Sequence, residues 1–265
     1  MIGNLNDGNM HTEKIRLDKL LVLQGLAPTI QKAQALILAR AIKVNDVLLD
    51  KADSLVPTNA EIQIKGADNP YVSRGGLKLK GALDEFELNV EGLVALDVGA
   101  STGGFTDCLL QAGATKVYAL DVGYGQLAWK LRQDKRVVVI ERTNIRHYDG
   151  ADLSLQPDLA TIDVSFISLK VVLPAILRLL KDEAQILALI KPQFEAARGE
   201  VGKNGVIQDP SVHDRVIEEI SDFCKSINLE DLRTCASSVL GPAGNKEFFI
   251  LARKKKSTGM NQIKQ

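Results

Sequence analysis

Leu96-Asp97-Val98-Gly99-Ala100-Ser101-Thr102-Gly103-Gly104-Phe105-Thr106 joins three features: an apolar run ending on an acid, a glycine-rich turn, and the first residues of an amphipathic helix. A strand, turn and helix in that order form a cofactor-binding unit. Glycines let backbone N–H groups approach a ligand, and the helix N-terminus adds partial positive charge. The spacing excludes one class of ligand. Dinucleotide sites carry G-x-G-x-x-G, whereas three other residues separate Gly99 from Gly103 and Gly104. A second acid, Asp121, closes the next apolar run, Lys116–Asp121, where a ribose-binding carboxylate belongs.

On both sides of this unit, apolar runs alternate with helical periods. Strands are expected at Leu93–Val98, Lys116–Asp121, Val137–Glu141, Leu159–Asp163, Gln185–Ile190, Leu232–Val239 and Glu247–Ala252. Helices are expected near Gly104–Ala112, Ser168–Leu180 and Ser211–Ile227. Such alternation predicts an α/β fold with a mainly parallel, doubly wound sheet. Upstream the period changes. Arg16–Gln24 has helical spacing at Leu17, Leu20, Leu21 and Leu23 and stops at Gly25, and Thr29 caps a second helix that carries Ala33, Leu36 and Ile37 to about Arg40. Short β runs follow at Ala41–Val44, at Val47–Leu49 beyond an Asn45-Asp46 turn, and at Ile62–Ile64. The expected organisation is a disordered leader (1–12), a small α+β unit (13–65), a linker of Gly, Asp, Asn and Pro composition (66–73), a large α/β domain (74–256) and a tail (257–265). A helix is expected over Val72–Phe86.

With 265 residues and 45% hydrophobic content, the chain can bury one large core beside a small one. Basic and acidic residues number 33 each, so the whole molecule carries no general attraction for polyanions. Residues 13–81 alone hold eleven Lys and Arg against seven Asp and Glu, which favours an acidic partner for the N-terminal part. Cys108, Cys224 and Cys235 lack metal-ligand spacing and suit a reducing cytoplasm, with core packing as their role. His147 and His213 read as surface or packing residues, Trp129 as apolar packing, and no metal is expected. No stretch approaches eighteen apolar residues, Val171–Leu180 being interrupted by Pro174 and Arg178, and the first fifteen residues hold no apolar run. Neither a membrane span nor a secretion signal is therefore expected. Nothing in the pattern specifies an oligomeric state.

The D-V-G-x-x-x-G-G-F pattern of Asp97–Phe105 resembles the S-adenosylmethionine (SAM) loop of Rossmann-like methyltransferases. That resemblance implies that Gly99, Ser101, Thr102, Gly103, Gly104 and Phe105 cradle the amino-acid part of SAM, that Asp121 holds the ribose hydroxyls and that Asn144 meets the adenine. Asp97 and Val122 are counted with them as cofactor contacts. Arg16-Leu-Asp-Lys19-Leu-Leu, with Lys32, Ala33, Leu36, Ile37, Arg40 and Lys43-Val-Asn45, resembles an S4 RNA-binding domain. Arg16, Lys19, Lys32, Arg40 and Lys43 are then expected at RNA phosphates. That family often has glycine where this chain has Ala41 and Asp46.

Five blocks in order extend the resemblance over nearly the whole chain: Tyr71-Val-Ser-Arg-Gly-Gly-Leu-Lys78, Asp97–Thr106, Asp163-Val-Ser-Phe-Ile-Ser-Leu169, Leu189-Ile-Lys191-Pro-Gln-Phe194 and Gly241-Pro-Ala-Gly-Asn-Lys-Glu247. Together they are similar to the TlyA-type proteins, often labelled hemolysins, in which an S4 domain is joined to an FtsJ-like RNA ribose methyltransferase domain. The resemblance implies SAM-dependent methylation of a ribose 2′-hydroxyl, with ribosomal RNA or ribosomal subunits as partner and a cytoplasmic location. It assigns a Lys-Asp-Lys-Glu tetrad to Lys78, Asp163, Lys191 and Glu247, and Arg74 as a further RNA contact.

The chemistry of those residue types agrees. A ribose hydroxyl is a poor nucleophile, so methyl transfer needs proton removal and in-line alignment. A lysine can take the proton when burial or cationic neighbours favour its neutral form. Lys191 and Asp163 each follow an apolar run, at the carboxyl edge where open α/β sheets bind ligands. Two rivals fit less well: a non-catalytic RNA-binding or ribosome-assembly protein has no use for both loop and tetrad, and a membrane-active hemolysin needs a segment that is not found. Arg198–Gly205 reads equally as a lid or as a surface loop.

Overall fold

The structure is a computed structural model and describes residues 14–27, 29–64, 69–202, 205–241 and 244–256. The expected leader and tail, the first three residues of the expected linker (66–68), and residues 203–204 of the glycine-rich segment lie outside the described residues. Two compact units divide at Pro70 and Tyr71.

In the first unit, β1 (Lys14–Arg16) runs into α1 (Leu17–Leu23), and α2 (Ile30–Leu38) follows. Gly25, at φ +71°, ends the first helical segment, and Thr29 Oγ1 accepts the Lys32 N–H at 3.2 Å, as their sequence positions predict. β2 (Ile42–Val44) and β3 (Val47–Leu49) make a hairpin through Asn45 and Asp46, with φ of +47° and +64°. Two consecutive positive φ values form a primed turn, and Asn and Asp enter that region without a glycine. β4 (Leu55–Pro57) pairs with β1 and β5 (Ile62–Ile64) with β2, both antiparallel. Neither β1 nor β4 is legible from periodicity, since three residues display no period. Leu17, Leu20, Leu21, Ala33, Ile37 and Ile42 form the core.

Asp18, 1% exposed, accepts both guanidinium N–H groups of Arg16 (3.1 and 2.7 Å) and the Gln34 amide (2.9 Å). These bonds, Arg16 foremost, hold its carboxyl down at about 2 against the effect of burial. A carboxyl lowered on folding stabilises above its unfolded value near 4, and that contribution is lost as the pH falls toward 2. Because the Arg16 side chain is partly open to solvent, Asp18→Asn is expected to cost about 1–2 kcal/mol at pH 7. The cost should shrink as the pH approaches 2. Urea unfolding of both proteins across that range checks it; a pH-independent cost would remove the ion pair as its cause.

The second unit holds α3 (Gly75–Glu85), β6 (Val94–Val98), α4 (Gly104–Gln111), β7 (Lys116–Leu120), α5 (Trp129–Arg132), β8 (Val137–Ile140), β9 (Leu159–Ile162) and α6 (Leu169–Leu177). It continues with β10 (Gln185–Ile190), α7 (Pro192–Glu195), α8 (Pro210–Ser226), β11 (Leu229–Ala236) and β12 (Phe248–Lys254). The sheet order is β11-β12-β10-β9-β6-β7-β8. β6 to β10 are parallel, and β12 lies antiparallel between β10 and β11. Leu96, Val98, Ile162 and Ile190 pack with Val172, Ile176, Val216 and Ile220 on one side, while Ala95, Leu187 and Leu189 pack with Leu79, Leu109 and Phe249 on the other. Both faces are thus covered, which is why these strands read as continuous apolar runs. From β6 the chain moves outward through β7 and β8, then returns to β9 on the opposite side of β6. Order reverses there, and a crevice opens at the carboxyl ends of β6 and β9.

Three boundaries differ from expectation for physical reasons. The helix expected from Val72 begins at Gly75, because Val72 N–H donates to Asp107 of α4 at 2.8 Å. Residues 71–73, read from composition as linker, therefore pack within the second unit. β11 starts at Leu229 rather than Leu232; a register shift between Glu230 and Arg233, with Asp231 at φ +55°, breaks the alternation that locates strands. α5 and α7, four residues each, are too short for a helical period. No helix among the described residues is long and apolar enough to cross a membrane.

Candidate active site

The turn after β6 and the residue after β9 meet on the crevice floor. Asp163 N–H donates to the Val98 carbonyl at 2.9 Å, and a Cβ on Gly99 (φ +88°) would stand 2.5 Å from the Asp163 carbonyl oxygen. Only glycine fits there. Gly103, at φ +98°, holds a left-handed backbone at the start of α4, and both it and Gly104 stand close to neighbouring side chains. A Cβ on Gly103 would meet Leu131 of α5 at 2.3 Å, and one on Gly104 would meet Ser73 Oγ at 2.2 Å. Both glycines let α4 sit against its neighbours, and Gly104 also lines a cavity of the crevice.

Asp97 stands apart from the expected cofactor contacts. It is fully buried, accepts the hydroxyls of Thr106 (2.6 Å) and Thr161 (3.2 Å), and lines neither cavity of the crevice. Burial pushes its carboxyl up to about 7. Its hydroxyl bonds tie β6 to α4 and β9; it does not touch a ligand.

Two cavities adjoin on this floor, sharing Gly99, Ser101 and Asp163. The first, about 480 Å³, is lined by Asp121, Val122, Gln126, Thr143, Asn144 and Phe166 over an apolar wall of Val98, Leu120, Ile145 and Val172. Asp121 Oδ2 accepts the Ser101 N–H at 2.8 Å and Oδ1 the Gly123 N–H at 2.7 Å. Each oxygen keeps a further lone pair for a ligand hydroxyl. Asn144 Oδ1 accepts the Arg146 N–H at 3.1 Å and caps the short turn over Ile145–His147. Val122 is exposed.

The second cavity, about 410 Å³, is lined by Arg74, Lys78, Thr102, Gly104, Phe105, Asp163 and Lys191. Phe105 forms a buried wall, its ring 6.1 Å from that of Phe249. Lys191, between β10 and α7, donates to Ser165 Oγ at 2.9 Å, and its Nζ lies 2.7 Å from Asp163 Oδ1 in an ion pair without an aligned hydrogen bond. Lys78 Nζ is 2.5 Å from Glu247 Oε2, and both residues are buried. All four tetrad residues therefore form two ion pairs. Lys78, Asp163 and Lys191 face the cavity, while Glu247 lies outside its lining and meets it through Lys78.

Sequence reasoning missed several neighbours. Gln126 belongs to no motif, and Ser165 and Phe194 stand in the Asp163–Leu169 and Leu189–Phe194 blocks with no role expected of them. Phe166 is 89% exposed at φ +63°, its ring 4.9 Å from that of Phe194; such a backbone is strained for a bulky residue, and only its place in the Asp163–Leu169 block hints at it. Trp129, expected in the core, is 73% exposed. In the first unit Lys19 and Lys32 are exposed, Lys43 is half-buried, and none pairs with an acid among the described residues. Arg16 and Arg40 differ, being partly neutralised by Asp18 and Asp50. Among the described residues no group of His, Cys, Asp and Glu is arranged to hold a metal.

The FtsJ-like methyltransferase model matches residues 71–254 and the S4 domain model residues 15–62. This chain belongs to the FtsJ-like methyltransferase family. Similar proteins include the 16S/23S rRNA (cytidine-2′-O)-methyltransferase TlyA of Mycobacterium tuberculosis, 42% identical over 91% of this chain and 90% of that protein. Hemolysin A of Brachyspira hyodysenteriae is 40% identical over 89% of this chain and 98% of its own. A solved Streptococcus thermophilus chain bearing the hemolysin label superposes with a TM-score of 0.72 at 42% identity, covering 93% of this chain and 90% of that one. An FtsJ-like enzyme uses S-adenosylmethionine, and the first cavity fits it: Asp121 offers lone pairs to a diol, an apolar slot suits a purine, and Gly99 keeps the floor clear of side chain.

Proposed function

We propose that this chain methylates a ribose 2′-hydroxyl of ribosomal RNA, presented on ribosomal subunits in the cytoplasm. One observation carries the reading: Lys78, Asp163 and Lys191 converge on a cavity that shares its floor with the one fitting SAM. SAM supplies a methyl group activated on a sulfonium. Asp163 and Ser165 hold Lys191 Nζ from two sides, which fixes its position beside the hydroxyl, while the Asp163 carboxylate favours the ammonium, so Lys191 has to give up a proton before it can accept one. Lys191 Nζ, having lost its own proton to solvent, would accept the hydroxyl proton as the methyl group that SAM supplies is transferred. Lys78, held by Glu247, keeps a positive charge at the opposite wall, where it stabilises negative charge developing on the ribose oxygen. Asp121, Val122, Asn144, Ser101 and Thr102 hold the cofactor. The S4 unit captures RNA through Lys19, Lys32 and Lys43, with Arg16 and Arg40 contributing less because acids already face them.

Replacing Lys19, Lys32 and Lys43 together with glutamate is expected to weaken binding to ribosomal RNA and to reduce the salt slope of log affinity by about two to three, while SAM affinity stays unchanged. Filter binding over a salt series reads both quantities. An unaltered slope would remove this face from the RNA contact.

A further inference from the structure

Behind Lys78, one oxygen of its partner has nothing to bond among the described residues. Glu247 Oε2 holds Lys78 Nζ, whereas Oε1 is buried with no hydrogen-bond partner among the described residues. Glu247 also lines a separate cavity of about 320 Å³, on the side of α8, together with His213, Ser237, Lys246 and Phe248. His213 is 4% exposed, its ring packed 5.5 Å from that of Phe248, and its Nε2 is likewise buried and unpartnered among the described residues. Buried polar atoms are nearly always bonded, and a carboxylate oxygen is among the costliest to leave bare. Two such atoms on residues lining one cavity point to a shared occupant. That occupant must donate to Oε1 and be able either to donate to Nε2 or to accept from it. It must also be small near the carboxylate, since even a Cβ added to Gly241 would stand 2.5 Å from Oε1. Water meets all three requirements, and the cavity has room for it.

We propose that this cavity holds an ordered water bridging Glu247 Oε1 and His213 Nε2, and that His213 is thereby a positioning residue for methyl transfer. The bridge fixes the rotation of the carboxylate, so that Oε2 stays on Lys78 and Lys78 stays on the wall of the catalytic cavity. With a leucine at 213, the water loses an anchor, the carboxylate turns toward other donors and Lys78 shifts with it. His213 itself never meets substrate. The inference rests on the reading that Lys78 and Glu247 serve the reaction.

Single-turnover transfer by the full chain, with SAM and ribosomal RNA saturating, tests it. His213→Leu is expected to slow transfer by about fivefold to twentyfold, the scale of one modest hydrogen bond, with the Kd for SAM unchanged. His213→Gln places an amide nitrogen near the position of the imidazole Nε2 and should restore the rate to within about twofold of wild type. His213→Asn stops short at the level of Nδ1 and should behave like leucine. A glutamine variant as slow as leucine, or a leucine variant as fast as wild type, overturns the proposal. A crystal structure of the wild-type chain gives a reading independent of whether the variants fold: a water within about 3.2 Å of both atoms is expected, and an Oε1 bonded to a protein donor overturns it. Lys78→Ala separates the two readings, because undiminished transfer in that variant would remove the catalytic role of the Lys78–Glu247 pair while leaving the crystallographic result to stand by itself.

Discussion

Lys191→Ala should lose methyl transfer by about 10²–10⁴-fold, the usual contribution of a general base, while SAM and RNA still bind. Lys191→Arg should fail nearly as badly. A guanidinium keeps its proton near neutral pH, and its planar fork does not reproduce the compact ammonium that sits 2.7 Å from Asp163 and 2.9 Å from Ser165. Single-turnover rates across a pH series, with both ligands saturating, compare the three proteins. Near-normal transfer by the arginine variant would reduce Lys191 to a positioning charge and pass the role of proton acceptor to Asp163 or water.

Asp121→Ala should weaken SAM binding by about tenfold to more than a hundredfold, equivalent to roughly 1.5–3 kcal/mol for a charge-assisted hydrogen bond. Two effects combine. The carboxylate loses its bonds to the ribose hydroxyls, and the cofactor turn loses its anchor, because the same oxygens accept the Ser101 and Gly123 N–H groups. Asp121→Asn distinguishes them, since an amide keeps one acceptor but turns an NH₂ toward a backbone N–H. Isothermal titration measures all three, and nicotinamide dinucleotides should give no heat. Wild-type affinity in the alanine variant would take Asp121 out of the cofactor site.

Parts of this site are legible in the sequence because of where residues stand on strands. Asp163 and Lys191 each end an apolar run, and parallel strands buried on both faces produce such runs, so their meeting at the crevice follows from topology. Lys78 and Glu247 are different. They lie 169 residues apart, and no local pattern announces that a helix residue will pair with the residue before the last strand; only the family resemblance joins them. The glycine-rich turn is recognisable, yet the packing around its glycines is not, because Gly103 and Gly104 stand against Leu131 and Ser73 from elsewhere in the fold. Asp97 misleads for a related reason: an acid at a strand end looks ligand-facing, and its partners Thr106 and Thr161 become visible only in three dimensions. Charge counting likewise overstates the S4 face, since Asp18 and Asp50 face two of its arginines.

Methyl transfer to a ribose hydroxyl is the central claim, and the position of the transferred methyl tests it most directly. Purified wild-type protein is incubated with SAM labelled in its methyl group and with ribosomal subunits that have never met the enzyme, and the RNA is then digested to nucleosides. The label should appear in a 2′-O-methylated nucleoside, and the phosphodiester bond on its 3′ side should resist alkaline cleavage because its 2′-oxygen can no longer attack. Label on a base, or no transfer while SAM and RNA both bind, would contradict the account.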